Sequence, residues 1–210
     1  MKDILLVGAG RIGAMITQML SSSGDYTVTV SDLSKDALKR MPKHDAVKTL
    51  QLDIQDTKAF DKALKGKYAV ISALPYDLTR LVAAGAVRNK VNYFDLTEDV
   101  ATTKFVKEIA EGADSALMPQ CGLAPGYISI AAYDLVKKFD TVTDIQMRVG
   151  ALSEYPTNAL KYNLTWSTEG LINEYIESCE AIVDGEVRQL APLDGLEQFS
   201  IDGTNYECFN

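Results

Sequence analysis

The sequence predicts an α/β fold, a doubly wound parallel sheet, followed by a second α+β domain. Over residues 1–120, short apolar runs alternate with stretches of helical periodicity, and consecutive parallel strands need such crossover helices on the faces of their sheet. A glycine-rich turn joins the first apolar run to the first helical stretch. After Thr143, apolar and polar residues alternate around two Asp-Gly pairs, which is typical of antiparallel hairpins.

The turn after the first strand has the spacing of a dinucleotide site. The apolar run 4–7 leads into residues 8–13, which read G-x-G-x-x-G and open the first helix. Gly8 permits a tight turn, Gly10 leaves room for a pyrophosphate against the backbone, and Gly13 allows close packing of helix on strand. Free N–H groups at the helix start would face the pyrophosphate, so a Rossmann-type site is predicted. Its expected cofactor contacts are Gly8, Gly10, Arg11, Ile12 and Gly13.

An acid ends the second predicted strand. The apolar run 26–30 is followed by Ser-Asp, and Asp32 lies 22 residues past Gly10 (32 − 10), where a carboxylate can accept the ribose hydroxyls of adenosine. Such a carboxylate repels a 2′-phosphate, so NAD is favoured and NADP is the less favoured cofactor. Lys35 and Arg40 follow closely and could offset this repulsion. Asp32 could also cap the next helix.

The rest of the first domain alternates in the same way. Helices are predicted over residues 35–40, 58–64, 78–88 and 103–113. Strands are predicted over residues 46–52, 68–74, 92–96 and 116–118. The first helix should turn one apolar face to the sheet, because its apolar residues recur at helical spacing. That face consists of Ile12, Met15, Ile16, Met19 and Leu20.

Ligands of open parallel sheets bind beyond the carboxyl ends of the strands. Asp53 and Ile54 follow the third strand, where an adenine ring would lie. Asp53 could accept a hydrogen bond from the adenine amino group, and helix capping by nearby Asp56 is the competing explanation for this local acidity. The segment after the fourth strand should border the nicotinamide half of the cofactor, and it consists of Ala73, Leu74 and Pro75.

The alternating pattern of strands and helices ends near residue 120. We expect a dinucleotide-binding domain over 1–120 and an incomplete α+β substrate or dimerisation domain over 121–210. The predicted elements of the second domain are a helix over 128–139, strands over 145–149 and 162–166, a helix over 168–176, and hairpin turns at Asp184-Gly185 and Asp202-Gly203.

Composition excludes several function classes. The net charge is −8, without a Lys/Arg run, whereas nucleic acids and anionic membranes need a positive face. No apolar run approaches the ~20 residues that span a bilayer, and the first strand begins too early to leave room for a targeting segment. The three cysteines are far apart without a C-x-x-C, so neither a disulfide framework nor a metal site is predicted. A cytoplasmic protein is expected.

Three groups of residues form a pattern that extends beyond the glycine turn. They are Val7-Gly8-Ala9-Gly10, then Pro119-Gln120-Cys121-Gly122-Leu123-Ala124-Pro125-Gly126, and finally Val149-Gly150-Ala151-Leu152 with Pro156, Tyr162 and Ser167-Thr168-Glu169-Gly170. Together these groups resemble the saccharopine dehydrogenase family. Glu174-Tyr175 and Asp184-Gly185 are most similar to the lysine 6-dehydrogenase branch of that family.

The resemblance implies a Rossmann domain, a substrate domain, a nicotinamide cofactor, a homodimer, and redox chemistry at the CH–NH group of an amino acid. The family pattern continues well beyond residue 210, so the chain is expected to be a fragment. The chain departs from the lysine 6-dehydrogenase pattern in two places. Gln120 occupies a position where that pattern has an acidic residue, and residues 97–99 occupy a segment that is glycine-rich in that pattern. The substrate therefore stays open between lysine and a secondary amine such as saccharopine. A non-catalytic NAD(P)-binding protein or inactive fragment is the alternative.

Hydride removal next to an amine needs a group that takes the amine proton. Asp95 and Glu98 follow the fifth predicted strand and are the candidate catalytic residues, since burial in a cleft raises the pKa of a carboxyl group. A structural hydrogen bond and a helix cap are the alternatives for them. The single histidine, His44, lies in a loop on the adenosine side and is expected to be solvated.

Substrate contacts are expected near the nicotinamide end and in the second domain. Tyr76 could orient the substrate or pack in the core. Pro125 and Gly126 shape the turn before the next helix, whose N-terminus could bind a substrate carboxylate. The predicted substrate contacts are Tyr76, Gly122, Pro125, Gly126 and Tyr162.

Overall fold

A computed structural model describes residues 1–150, 152, 153, 155, 157–159, 162 and 168–210. The chain divides into two compact units, Met1–Lys138 and Phe139–Asn210. This division falls after Lys138, whereas the sequence predicts a domain boundary after residue 120. The helix that begins at Tyr127 therefore belongs to the first unit, and a substrate or dimerisation role for residues 121–210 stays a prediction.

The first unit is built on a parallel sheet with helices between its strands. The strands are β1 (Lys2–Val7), β2 (Tyr26–Asp32), β3 (Val47–Gln51), β4 (Ala69–Ser72), β5 (Asn92–Asp95) and β6 (Leu117–Met118). The helices are α1 (Arg11–Ser22), α2 (Lys35–Lys39), α3 (Thr57–Leu64), α4 (Tyr76–Asn89), α5 (Val100–Ala110) and α6 (Tyr127–Val136). The strand order is β3-β2-β1-β4-β5-β6, and every neighbouring pair is parallel.

This topology confirms the predicted doubly wound α/β fold. The chain runs outward from β1 in one direction through β2 and β3, and then returns to the other side of β1 with β4. The strand order therefore reverses between β1 and β4. In open parallel sheets the ligand crevice lies at this reversal, beyond the carboxyl ends of the strands.

Two apolar cores flank the sheet, because successive side chains of a strand point to opposite faces. Leu5 and Val7 of β1 lie in one core, with Phe60 of α3 among their neighbours. Leu6 lies in the other core, with Val28 of β2. Burial of each such side chain contributes ~1.5–3 kcal/mol to folding, so the alternation in β1 fixes the strand between the two helix layers.

Helix α1 buries a different face from the one that the sequence predicts. Gly13, Thr17 and Ser21 are its buried residues. A Cβ at Gly13 would lie 2.0 Å from the carbonyl oxygen of Gly8, so the helix passes too close to the turn for large side chains on that face. Ile16 and Leu20 are partly buried in a core. The apolar side chains left exposed are Ile12 (46%), Met15 (57%) and Met19 (67%).

Aspartate side chains begin two of the helices. Asp56 accepts a hydrogen bond from the amide of Ala59 at 3.1 Å and starts α3, which supports helix capping as the explanation for its acidity. Asp99 accepts from the amide of Thr102 at 2.6 Å. Helix α5 therefore begins at Val100, earlier than its apolar periodicity predicts, because a side-chain acceptor decides where the first turn starts.

The described residues of the second unit contain a helix and two antiparallel hairpins. The elements are α7 (Thr168–Glu174), β7 (Cys179–Val183), β8 (Glu186–Leu190), β9 (Glu197–Ile201) and β10 (Thr204–Cys208). Both predicted Asp-Gly turns are confirmed. Asp184 and Gly185 have φ of 54° and 78°, and Asp202 and Gly203 have φ of 49° and 78°; positive φ at both central residues defines a type I′ turn.

The strand predicted over residues 145–149 is wrong. These residues are exposed and pair with no strand in the described part of the chain. The hairpins also form two separate two-stranded sheets there, not one larger sheet. Alternation makes a strand only where a partner edge is available to satisfy its backbone groups. The strand predicted over residues 162–166 lies outside the described residues, apart from Tyr162.

We predict that Asp56→Ala lowers the free energy of unfolding by about 1 kcal/mol, because α3 loses its N-terminal acceptor. Asp56→Ser should restore most of this stability, since a hydroxyl group serves the same amide. Urea unfolding followed by circular dichroism measures both changes. Equal stability of the alanine variant and the unaltered protein would contradict the capping role.

Candidate functional site

The glycine turn lies at the carboxyl edge of the sheet, where the strand order reverses. The amide of Gly8 donates to the carbonyl of Ser31, and the amide of Ala73 donates to the carbonyl of Val7, both at 2.8 Å. Gly8 has a φ of +108°, and a Cβ there would lie 2.6 Å from the carbonyl oxygen of Ala73. Both conditions require glycine, so the fold itself explains this position.

Gly10 has a different environment. Apart from its chain neighbours, no atom of the described residues lies within 4 Å of where its Cβ would be. Gly10 caps α1 without a side-chain hydrogen bond, and the amides of Arg11, Ile12 and Gly13 have no acceptor within the described part of the chain. Unpaired amides at a helix start attract anions. The open space and the free donors fit the pyrophosphate of a dinucleotide.

Asp32 joins the end of β2 to the glycine turn. One carboxylate oxygen accepts from the amide of Ala9 at 2.8 Å, and the other accepts from the amide of Ser34 at 2.7 Å. The cap of α2 is Ser34, whose hydroxyl accepts from the amide of Ala37, so the alternative of Asp32 as that cap is wrong. Each carboxylate oxygen keeps further acceptor capacity, which fits the hydroxyl groups of a ribose.

Cations lie near this carboxylate in sequence and line a neighbouring groove. Arg11, Arg40, Lys43 and His44 contribute to a groove of ≈ 510 Å³ between α1 and the segment after α2. Among the described residues, no Asp or Glu lines it. Lys35 is exposed and does not line the groove. Two guanidinium groups, those of Arg11 and Arg40, therefore line a groove that runs along α1.

His44 has the environment that the sequence predicts. Its side chain is exposed, and its Nδ1 atom accepts a hydrogen bond from the amide of Ala46 at 3.1 Å. This contact stabilises the loop before β3. The structure gives His44 a local role in that loop, away from the carboxyl ends of β4 and β5.

The segment after β3 has two kinds of environment. Asp53 is exposed, and its carboxylate accepts from the amide of Gln55 at 2.9 Å. Ile54 is partly buried and packs against the core that contains Leu5. Both residues lie at the carboxyl edge of the sheet, as expected for an adenine pocket. Their contact with a cofactor stays a prediction.

A buried hydroxyl pair holds the segment after β4. The side-chain oxygens of Ser72 and Thr79 lie 3.0 Å apart, and this bond ties the end of β4 to α4. Residues 73–75 cross the carboxyl edge of the sheet between them, and Tyr76 begins α4 as a half-buried side chain. The predicted nicotinamide border and the predicted substrate tyrosine are thus placed at the same edge as the glycine turn.

Asp95 ends β5 and is only 1% exposed. One of its carboxylate oxygens accepts from the hydroxyl of Tyr93 at 2.6 Å. The other accepts from the amides of Thr97 and Gln120 at 2.9 and 3.0 Å. Burial, together with the nearby carboxylate, raises the pKa of Tyr93, so its phenol stays protonated and donates. This environment is closed and holds the carboxylate with three hydrogen bonds, unlike that of a carboxylate that faces a cleft.

The sequence reasoning missed Tyr93 as part of this site. Tyr93 is fully buried and reaches Asp95 because residues two apart on a strand share a face. That spacing is readable in the sequence. The partner amide of Gln120 is not, because it comes from a loop that is distant along the chain.

Glu98 follows β5 and is half-buried. Burial raises its pKa; its own backbone amide opposes this shift, and the charges of Asp99 and Asp95 add to it. β5 pairs in parallel with β4, and the two strands end together at Asp95 and Ser72. Glu98 therefore follows β5 at the same edge of the sheet that residues 73–75 cross after β4. A carboxyl group with a raised pKa at a ligand edge has the properties of a general base.

The loop of residues 119–126 closes on itself. The amide of Gly122 donates to the carbonyl of Pro125 at 3.0 Å, and the amide of Tyr127 donates back to Gly122 at 2.8 Å. Gly126 has a φ of +139°, and a Cβ there would lie 2.3 Å from the carbonyl oxygen of Gly122. Only glycine fits position 126, so the motif in this loop has a structural cause.

The start of α6 does not offer an anion site. Its first three amides donate to carbonyl groups of the same 119–126 loop, at 2.8, 3.0 and 3.1 Å. The expectation that this helix start binds a substrate carboxylate is wrong, because its donors are already used. Substrate contacts of Gly122, Pro125 and Gly126 through other atoms stay predictions.

The predicted substrate residue of the second unit is described only in part. Tyr162 is half-buried, and its backbone exchanges hydrogen bonds with the side chain of Asn158 at 2.7 and 3.3 Å. Residues 163–167, which follow Tyr162, lie outside the described residues. A substrate contact by Tyr162 stays a prediction.

Comparison with known proteins decides the family. The family model described as "Saccharopine dehydrogenase NADP binding domain" matches residues 4–118, which is more than half of the chain. The chain belongs to the saccharopine dehydrogenase family. This confirms the family resemblance seen in the sequence.

Similar proteins agree with this assignment. The chain is 26% identical to a Saccharomyces cerevisiae saccharopine dehydrogenase [NADP(+), L-glutamate-forming], over 92% of this chain and 45% of that protein. It is 22% identical to the mitochondrial alpha-aminoadipic semialdehyde synthase of Rattus norvegicus, over 96% of this chain and 24% of that protein. The chain therefore spans half or less of the length of these relatives.

A solved structure supports the fold. The apo histidine-tagged saccharopine dehydrogenase (L-Glu forming) from Saccharomyces cerevisiae matches with a TM-score of 0.71 and 23% identity, over 99% of this chain and 49% of that one. The described residues of this chain contain no helix that is long and apolar enough to cross a membrane. They also contain no cluster of three potential metal ligands.

Substitution of the second and third glycines of the motif, Gly10 and Gly13, should have different effects. We predict that Gly10→Val removes dinucleotide binding and keeps the fold, because its side chain enters open space that the pyrophosphate would occupy. Gly13→Val should instead destabilise the fold, because its Cβ would clash with the carbonyl of Gly8. Thermal unfolding and titration with NADH, followed by fluorescence, separate these effects. Tight NADH binding by a folded Gly10→Val variant would contradict the pyrophosphate contact.

Proposed function

We propose that this protein is a dehydrogenase that acts on the CH–NH group of an amino acid with NAD as its preferred cofactor. The observation that supports the proposal most is the helix start at Gly10, with its open space and unpaired amides, in a chain of the saccharopine dehydrogenase family. Residues 8–13 would hold the pyrophosphate, and Asp32 would hold the adenosine ribose.

The cofactor preference is proposed from the charge of Asp32. The matching family model and the yeast relative are both named for NADP. A carboxylate at the end of β2 is unfavourable beside a 2′-phosphate and favourable beside ribose hydroxyls. Arg11 and Arg40 line the adjacent groove and would leave a residual capacity for NADP. We therefore propose a preference for NAD, not an exclusion of NADP.

Glu98 is the proposed general base. A bound nicotinamide ring would supply the hydride acceptor in oxidation and the hydride donor in reduction. The protein must take a proton from the substrate amine before the hydride can leave. The half-buried carboxyl group of Glu98 has a raised pKa and lies at the ligand edge. Asp95 was the other predicted catalytic residue, but it is only 1% exposed and is held inside the fold by Tyr93 and two amides.

The substrate is proposed as a primary or secondary amine of an amino acid. The printed names of the relatives include saccharopine and L-glutamate, and the sequence resembles the lysine 6-dehydrogenase branch. Tyr76, at the start of α4, and the 119–126 loop are the proposed substrate contacts of the first unit. A substrate contact by Tyr162 is a separate prediction for the second unit. The predicted homodimer and cytoplasmic location remain part of this proposal.

A non-catalytic NAD(P)-binding protein is the second candidate. The observation that favours it is that Asp95, one of the two predicted catalytic residues, is 1% exposed and held by three hydrogen bonds. Titration with NADH and NADPH, followed by assays with lysine, saccharopine and other amino acids, separates the two. Turnover that forms reduced nicotinamide supports the dehydrogenase. Binding without turnover on any amine, in either direction, supports the non-catalytic candidate, and absence of binding contradicts both.

We predict that Asp32→Asn shifts the ratio of NAD to NADP affinity toward NADP by about tenfold or more, because the charge that repels a 2′-phosphate is removed. Asp32→Ala should do the same and also cost ~1–3 kcal/mol of stability, since two amides lose their acceptor. Fluorescence titrations with both reduced cofactors measure the ratio. An unchanged ratio in both variants would show that Asp32 does not contact the ribose.

Glu98 gives a prediction about pH. If it is the base, kcat/KM for an amine substrate falls as the pH drops through its pKa, which lies above the ordinary value of a glutamate. Glu98→Gln should lower kcat by ~10²–10⁴-fold and remove this acidic limb from the profile. Glu98→Asp, which keeps a carboxyl group, is the matched control. Persistence of the same limb in the glutamine variant would assign it to another group.

A further inference from the structure

The side chain and backbone of Asp95 both hold the 119–126 loop. The carboxylate accepts from the amide of Gln120 at 3.0 Å. The carbonyl of Asp95 accepts from the next amide, that of Cys121, at 2.7 Å. Two consecutive loop residues are thus fastened to one residue at the end of β5. The pairing of β5 with β6 ends at Phe94 and Met118, so these bonds continue the attachment beyond the sheet.

The remainder of the loop has little freedom once its first residues are fixed. Gly122 and Gly126 form a bridge with each other, and the first amides of α6 donate to loop carbonyls. The position of a Cβ at Gly122 lies 3.5 Å from the carbonyl oxygen of Leu96, so the loop also lies against the chain that leaves β5. A closed loop that is fastened at one end moves as a unit.

The Asp95 carboxylate is itself held in place by the fold. The hydroxyl of Tyr93 donates to one oxygen from within the core, and the amide of Thr97, in the turn after β5, donates to the oxygen that also accepts from Gln120. Tyr93 is fully buried and Asp95 is 1% exposed. The carboxylate therefore links a rigid strand to the loop, and it has no room to approach a ligand.

We propose that Asp95 is a positioning residue, whose buried carboxylate and carbonyl hold the 119–126 loop beside the nicotinamide end of the sheet so that the amine substrate meets a preformed surface. β4 and β5 are neighbours, with Ser72 opposite Asp95, so the loop is fastened next to the strand that leads into residues 73–75. The substrate part of this inference rests on the proposed function, and the loop part does not.

The unaltered protein gives the first test. Residue-resolved amide exchange should show Gln120 and Cys121 exchanging at least about tenfold more slowly than Leu123 and Ala124, because the loss of one net hydrogen bond is worth that factor. The amides of Leu123 and Ala124 have no acceptor among the described residues. Equal exchange at all four amides would overturn the proposal.

Variants at Asp95 separate positioning from proton transfer. An asparagine keeps a carbonyl oxygen for the amides of Thr97 and Gln120, and its NH₂ group can donate to the hydroxyl of Tyr93, but it cannot accept the proton of an amine. An alanine loses all three contacts. We expect Asp95→Asn to retain slow exchange at Gln120 and to retain kcat within about threefold. Asp95→Ala should accelerate exchange at Gln120 by about tenfold or more.

Turnover gives the substrate part of the test. Asp95→Ala should raise KM for the amine by about tenfold while the affinity for NADH stays within about twofold, as the glycine turn is untouched. Tyr93→Phe is the matched control, because it removes the hydroxyl that contacts the same carboxylate and leaves both loop bonds. It should lower thermal stability and raise KM for the amine by less than Asp95→Ala does.

Each outcome decides between the roles. Loss of turnover in Asp95→Asn with slow exchange at Gln120 would make Asp95 a proton acceptor and overturn the proposal. Unchanged exchange at Gln120 in a folded Asp95→Ala variant would also overturn it. If the alanine variant does not fold, the exchange pattern of the unaltered protein and the asparagine variant still decides. If no amine is turned over, the proposed dehydrogenase function fails and the exchange measurements test the loop attachment alone.

Discussion

The close approach of α1 to the glycine turn is the constraint on which the rest of the site depends. The position of a Cβ at Gly13 lies 2.0 Å from the carbonyl oxygen of Gly8, and that of Gly8 lies 2.6 Å from Ala73. Three segments therefore meet with no side chain between them. This contact directs the start of α1 toward the reversal of strand order, and the carboxylate of Asp32 holds the turn from the other side. As a consequence, the first amides of α1, those of Arg11, Ile12 and Gly13, have no acceptor among the described residues.

Two glycine-containing helix starts in this unit behave in opposite ways. At α1 the first amides are unpaired, and the space at Gly10 is open. At α6 the preceding loop folds back, and its carbonyl groups satisfy the first amides. Unpaired donors favour an anion, whereas satisfied donors favour a rigid loop. The first start is suited to bind a ligand, and the second is suited to shape the surface beside it.

Much of this could be predicted from the sequence, because the signals were local. The parallel sheet followed from alternating elements, and both Asp-Gly hairpins followed from turns that need positive φ at two successive positions. The buried face of α1 could not be predicted from apolar periodicity, since the close approach at Gly13 selects small residues there. The alternation over residues 145–149 did not form a strand, because a strand also requires a partner edge.

The sequence by itself determined the dinucleotide motif, the family and the presence of an acid at the end of β2, because each depends on residue types at short, fixed spacing. Only the tertiary structure decided what the candidate carboxylates do. Asp95 and Glu98 are three positions apart, yet one is buried and held by Tyr93 and Gln120 while the other is half-buried with a raised pKa. An amide that holds Asp95 comes from a loop distant in sequence, and burial with hydrogen bonding is a property of such three-dimensional contacts.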